Sequence, residues 1–260
     1  MNVRKMEEAS VWFVGAGPGD PELITLKGKK AIELADTVIY AGSLVNPQLL
    51  AYAKPGCEIH DSASMTLEEV IAVTKKTVAK GQKVARVHTG DPSIYGAIHE
   101  QMDLLDEDKI DYYVIPGVSS FTAAAAALGA EFTLPSVSQT VILTRAEGRT
   151  PVPEKEKLAL LAKANASMAI FLSVQMIDDV VHELLREYPA DTPVAVIQKA
   201  SWQDEQTVAG TLSNIGEKVR AAGITKTAQI LVGRFLQSDY ERSKLYDPTF
   251  THEFRQGIEK

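Results

Sequence analysis

Residues 11–40, VWFVGAGPGDPELITLKGKKAIELADTVIY, read as an apolar strand (VWFV, 11–14), a glycine turn (GAGPGD, 15–20), a helical stretch and a β-branched strand (TVIY, 37–40). The same alternation continues through CEIH (57–60), KVARVH (83–88) and DYYVI (111–115). Between these runs Leu67, Val70, Ile71, Thr74 and Val78 fall at helical spacing, as do Ile94, Ile98, Met102 and Leu105. Strands alternating with helices predict a mostly parallel sheet with crossover helices.

After an alanine-rich helix (122–128), the pattern loosens at EFTLPSV (131–137) and then restarts. QTVILT (139–144), SMAIFL (167–172), PVAVIQ (193–198), QTVAG (206–210) and AQILVG (228–233) read as strands, with helices near 154–164, 175–188 and 211–222. Short adjacent strands predict a mixed sheet here. The expected organisation is an N-terminal α/β domain (10–130), a C-terminal α/β domain (131–237) and a charged tail (238–260). Two such halves would bind a small ligand in the cleft between them.

Composition narrows the classes. A chain of 260 residues with 45% hydrophobic content can bury one large or two smaller cores. A net charge of −7 argues against a nucleic-acid surface, which needs a field dominated by Lys and Arg. The polar N-terminal residues and the lack of a run of about twenty apolar residues predict a cytoplasmic protein with no membrane partner. Cys57, the single cysteine, forms no internal disulfide and is placed in the CEIH strand. The five histidines lack ligand spacing, so no metal site is expected.

Three loops carry the chemistry. GAGPGD invites a dinucleotide reading, which fails because Asp20 replaces the third glycine and TVIYAG lacks the ribose-binding acid. Its Pro18-Gly19 pair suits a turn with a left-handed glycine, while Asp20 can cap and Pro21 start the next turn. In HTGDPSIYGA (88–97), Gly90 leaves room for a ligand, Asp91 is pushed towards extended geometry, and Pro92 can open a helix that Asp91 would cap. In IPGVSS (115–120), Gly117 permits close backbone approach, and Ser119 and Ser120 fall in a first helical turn. The three glycine turns are expected at one edge of the sheet, where open α/β sheets bind ligands.

In this order the loops resemble those of the tetrapyrrole (corrin/porphyrin) methylase family, which carries a GAGPGD-type loop, a GDP-x-x-Y/F-G loop and a PG-x-[ST]-S/A loop; the likeness covers roughly residues 11–236. It implies two α/β domains with mixed sheets and a cleft for S-adenosylmethionine, left as S-adenosylhomocysteine after transfer. It places Pro18, Gly90, Asp91, Tyr95, Ser119, Ser120, Leu172, Ser173, Ala200, Ala228 and Gln229 at the donor, with Asp91 and Tyr95 orienting it. A homodimer is also implied.

TRAEGRTPVPE (144–154), DSASMTLEE (61–69) and VHTGDPSIYGAIHEQ (87–101) resemble the branch that methylates C11 of precorrin-4 or cobalt-precorrin-4 in cobalamin biosynthesis. Any cobalt would arrive inside the substrate. Arg145 and Arg149 are the expected forks for the carboxylates of this tetrapyrrole substrate. The alternatives are another corrin carbon, uroporphyrinogen III, or a non-catalytic ligand-binding protein. Against uroporphyrinogen III stand Gly42, Ala97 and Ser173, where those methylases usually carry an acid, an arginine and a methionine.

Overall fold

The computed structural model describes residues 5–237 and 239–258; the expected tail begins and ends outside them, at Ser238 and at Glu259 and Lys260. By contacts the chain divides into two units, Met1–Ala123 with Lys199–Glu205, and Ala124–Gln198 with Gln206–Lys260.

In the first unit β1 (Val11–Gly15), β2 (Thr37–Tyr40), β3 (Glu58–Asp61), β4 (Val84–His88) and β5 (Tyr112–Ile115) form one sheet in the order β3-β2-β4-β1-β5. Every pairing is parallel. Alternate residues of β1 serve opposite faces. Trp12 and Val14 join Ile32, Val38, Ala85, Val87 and Ile115 on one side. Val11 and Phe13 join Ile39, Ile71, Val84 and Leu105 on the other. Burial on both faces is why β1 and β2 read as unbroken apolar runs, while the edge strand β3 is largely exposed.

Helix α1 (Leu26–Leu34) starts at Thr25, whose hydroxyl accepts the Gly28 N–H, and α2 (Leu67–Val78) at a reciprocal Thr66–Glu69 capping box. Helix α3 (His99–Glu107) starts later than the Ile94–Leu105 spacing suggests. Tyr95 and Ala97 lie at φ 55° and 49°, which a helix cannot accommodate, so residues 92–95 form a turn, 96–98 are irregular and Pro92 opens no helix. Cys57 falls just outside β3, not within it, and burial raises its thiol pKa.

The second unit contains β6 (Val141–Arg145), β7 (Ser167–Phe171), β8 (Pro193–Gln198), β9 (Gln206–Thr211) and β10 (Ala228–Val232) in the order β6-β7-β10-β8-β9. β6 and β7 are parallel and the other pairs antiparallel, so this sheet is mixed. Its core brings Met168, Ile170, Val196 and Ile230 against Val180, Leu184, Ile215 and Val219. The helices α5 (Leu158–Ala162), α6 (Ile177–Leu184) and α7 (Ile215–Ala221) are shorter than their sequence patterns, and residues 154–156 form a 3-10 turn. α4 (Ser120–Ala127) lies where the two units divide in sequence.

Candidate functional site

Because β1, β4 and β5 are adjacent and parallel, their three glycine turns leave the same edge of the sheet, with Gly15 level with His88. They meet at their glycines. A Cβ on Gly117 would lie 2.1 Å from the Gly90 carbonyl oxygen, and one on Gly15 would lie 2.6 Å from Gly117 Cα. Gly17 and Gly90 exchange N–H···O bonds of 3.2 and 2.8 Å. The close approach permitted by Gly117 is therefore made by the protein's own backbone. Gly90 differs: at φ +60° the atoms nearest its added Cβ would be backbone atoms of Ser119, Ser120 and Val118, at 3.6–3.8 Å. A Cβ there would sit in ordinary contact with the third loop and is opposed only by the left-handed φ.

Asp91 ties those two loops together. Its Oδ2 accepts the Gly117 N–H at 2.9 Å, and its Oδ1 accepts the Ser93 N–H at 2.8 Å and the Ser93 hydroxyl. Burial alone would raise its pKa, but the bonds from the Ser93 hydroxyl, the Gly117 N–H and the Ser93 N–H hold it below its ordinary value. Asp91 caps a turn and not a helix. The neighbouring Ser119 is buried just before α4, where its carbonyl accepts the Thr122 hydroxyl at 2.7 Å; Ser120 is half-buried as the first residue of that helix.

In the first loop the left-handed glycine is Gly17, at φ +80°, not Gly19. Asp20 caps the 3-10 turn opened by Pro21, accepting the Glu22 N–H. Segment 199–205 packs on this loop: the Trp202 indole donates to the buried Pro18 carbonyl at 2.9 Å, and Ser201 Oγ accepts the Asp20 N–H at 3.0 Å. A Cβ on Gly19 would strike the Trp202 ring. Ala200 is buried between Lys199 and Ser201, which stand at φ 50° and 71°.

In the second unit Leu172 is 69% exposed at φ 55°, and the half-buried Ala228 follows Thr227 at φ 53°. Ser173 is fully buried; its hydroxyl donates to Phe171 O at 2.6 Å and accepts the Ala146 N–H at 2.9 Å. Gln229 is buried in β10. Arg145, expected to fork a substrate carboxylate, is instead turned onto its own loop, donating to the carbonyls of Ala146, Thr150 and Pro151. Arg149 is exposed and makes no side-chain bond to the described residues.

Among the described residues nine non-glycines have left-handed φ; five of them, Tyr95, Leu172, Lys199, Ser201 and Thr227, belong to or flank the donor residues expected from the sequence, and Ala97 lies two positions beyond Tyr95. Such backbone costs about 1–3 kcal/mol per residue and concentrates at ligand-binding positions. Below the second loop lie His88 and Arg86. Burial and then the Arg86 charge push the His88 pKa down to about 3, so this imidazole is neutral, and its Nε2 has no hydrogen-bond partner among the described residues. Burial lowers the Arg86 pKa to about 10.

Residues 10–216 match the family described as Tetrapyrrole (Corrin/Porphyrin) Methylases. The chain belongs to this family. Among tetrapyrrole methylases, the cobalt-precorrin-4 C(11)-methyltransferase of Methanocaldococcus jannaschii is 62% identical over 252 residues, spanning 96% of this chain and 97% of that one. The X-ray structure of a cobalt precorrin-4 methyltransferase, a cobalamin biosynthetic enzyme, matches with a TM-score of 0.87 at 48% identity, covering 91% of this chain and 99% of that one. The uroporphyrin-III C-methyltransferase of Thermus thermophilus, complexed with S-adenosyl homocysteine, matches with a TM-score of 0.74 at 25% identity over 88% of this chain and 94% of that one.

Gly42 lies in the loop after β2, beside the end of β3. A side chain at Gly42 would overlap the Asp61 carboxylate, which accepts the Gly42 N–H at 3.0 Å. Sequence reading missed Gln101, Ser201 and Trp202. Trp202, one of only two tryptophans, sits in the polar stretch KASWQDE, where a large aromatic has no strand or helix to serve.

Proposed function

We propose that this chain transfers a methyl group from S-adenosylmethionine to C11 of precorrin-4 or cobalt-precorrin-4 in cobalamin biosynthesis. The observation that carries this reading is 62% identity, over nearly the whole chain, to a cobalt-precorrin-4 C(11)-methyltransferase. The departure of three glycine turns from one edge of the first sheet supports placing the donor at the first unit's loops.

We assign Pro18, Gly90, Asp91, Tyr95, Ser119, Ser120 and Ala200 of the first unit to the donor, and from the second unit Leu172, Ser173, Ala228 and Gln229. When bound, the sulfonium supplies an already activated methyl group, so the protein's task is alignment, which can be worth about 7–11 kcal/mol. Asp91 contributes by fixing the second loop to the third, which sets where Tyr95 stands. Arg149 offers its guanidinium to an acetate or propionate of the substrate, and Arg145 braces the loop that carries it. We read the protein as two domains (10–130 and 131–237) and as a cytoplasmic homodimer without nucleic-acid or membrane partners. Methyl transfer to precorrin-4, compared with earlier and later corrin intermediates, tests the function; preference for another intermediate overturns it.

A further inference from the structure

Arg86 projects from β4 into the interior, and no carboxylate among the described residues pairs with it. Its Nε donates to Gln101 Oε1 at 3.1 Å and its Nη1 to the Ile39 carbonyl at 3.3 Å. Gln101, itself buried near the start of α3, uses its other end to donate from Nε2 to the Ala97 carbonyl at 2.9 Å. The orientation of this amide is fixed by its partners, since a guanidinium only donates and a carbonyl only accepts. Ala97 is left-handed, as is Tyr95, and Gly96 between them has no room for a side chain because Pro92 O lies 2.1 Å from its Cβ position. An unfavourable backbone conformation persists only where the surroundings over-determine it.

We propose that Gln101 is a positioning residue for the donor loop, a bridge that transmits the fixed position of Arg86 in the sheet to the left-handed backbone at Ala97 and so to Tyr95. This rests on the reading of residues 90–97 as donor-binding. The bridge needs a side chain that accepts at one end and donates at the other. Glutamate has the same length and would accept from Arg86 more strongly, supplying the counter-charge Arg86 lacks, yet as a carboxylate it cannot donate to Ala97 O. Gln101→Glu thus separates support of the core from support of the loop.

The test titrates S-adenosylhomocysteine by calorimetry into the full chain and into Gln101→Glu, with melting temperature and steady-state constants alongside. In the variant the dissociation constant and the donor KM should rise roughly five- to tenfold. The acceptor KM and melting temperature should stay at parental values. Gln101→Met, which keeps length and loses both bonds, should show the same loss of donor affinity together with a lower melting temperature. Parental donor affinity in either folded variant overturns the proposal. So does a Gln101→Glu protein that fails to fold, because Gln101 would then be holding the core. A parent protein that does not bind S-adenosylhomocysteine overturns the functional reading instead.

Discussion

Replacing Asp91 by asparagine tests whether this carboxylate clamps the second and third loops. The side chain keeps its size, but one oxygen becomes an NH2 group. If that group faces Gly117, two donors oppose each other where a 2.9 Å bond stood; if the amide flips, the conflict moves to the Ser93 N–H. An unsatisfied donor costs about 1–3 kcal/mol, and partial exposure places this site in the lower part, about 1–2 kcal/mol. Were all of that loss to fall on the arrangement of the loops, the dissociation constant for S-adenosylhomocysteine would rise roughly five- to thirtyfold.

The acid limb adds an independent signature. Asp91 has a pKa depressed by folding below 3.8, so its contribution is present above that value and is lost as pH falls through the lower folded-state value. The stability difference between parent and Asp91→Asn should be constant above about pH 5 and shrink in more acidic solution. Urea unfolding across this range and calorimetric titration at pH 7 measure both effects. Parental stability and parental donor affinity in the variant would refute the clamp.

Two further contrasts follow from the loops. Gly117→Ala places a Cβ 2.1 Å from Gly90 O, an overlap of backbone with backbone, and should cost about 1–3 kcal/mol in urea unfolding; Gly90→Ala meets no such overlap and should cost about 1–2 kcal/mol for its left-handed φ while weakening donor binding in calorimetry. Arg149→Ala should lower kcat/KM for the corrin substrate roughly ten- to a hundredfold at unchanged S-adenosylhomocysteine affinity, the scale of one charge-assisted contact. Arg145→Ala should chiefly loosen the 146–151 loop, seen as faster amide exchange there.

β1 and β2 were legible because burial on both faces leaves short apolar runs bounded by turn residues. The convergence of the three glycine turns followed from parallel order alone. Residues 94–105 misled for a physical reason: Ile94, Ile98, Met102 and Leu105 satisfy the helical period, but period reports facing and not backbone, and Tyr95 and Ala97 break the helix from within. What Asp91 binds was hidden because Gly117 is 26 residues away, and the bonds from Trp202 to Pro18 and from Asp20 to Ser201 join positions more than 180 residues apart. Arg145 and Arg149 look equivalent in sequence. Only the folded loop, which offers three carbonyls to Arg145 and none to Arg149, tells them apart.

The most direct test of the central claim is to incubate the protein with methyl-13C S-adenosylmethionine and precorrin-4, metal-free and cobalt-loaded, and to locate the label by mass spectrometry and NMR. One labelled methyl group should appear at C11 in at least one of the two substrates. Label at another carbon, or no transfer to either form by protein that binds S-adenosylhomocysteine, would contradict the account.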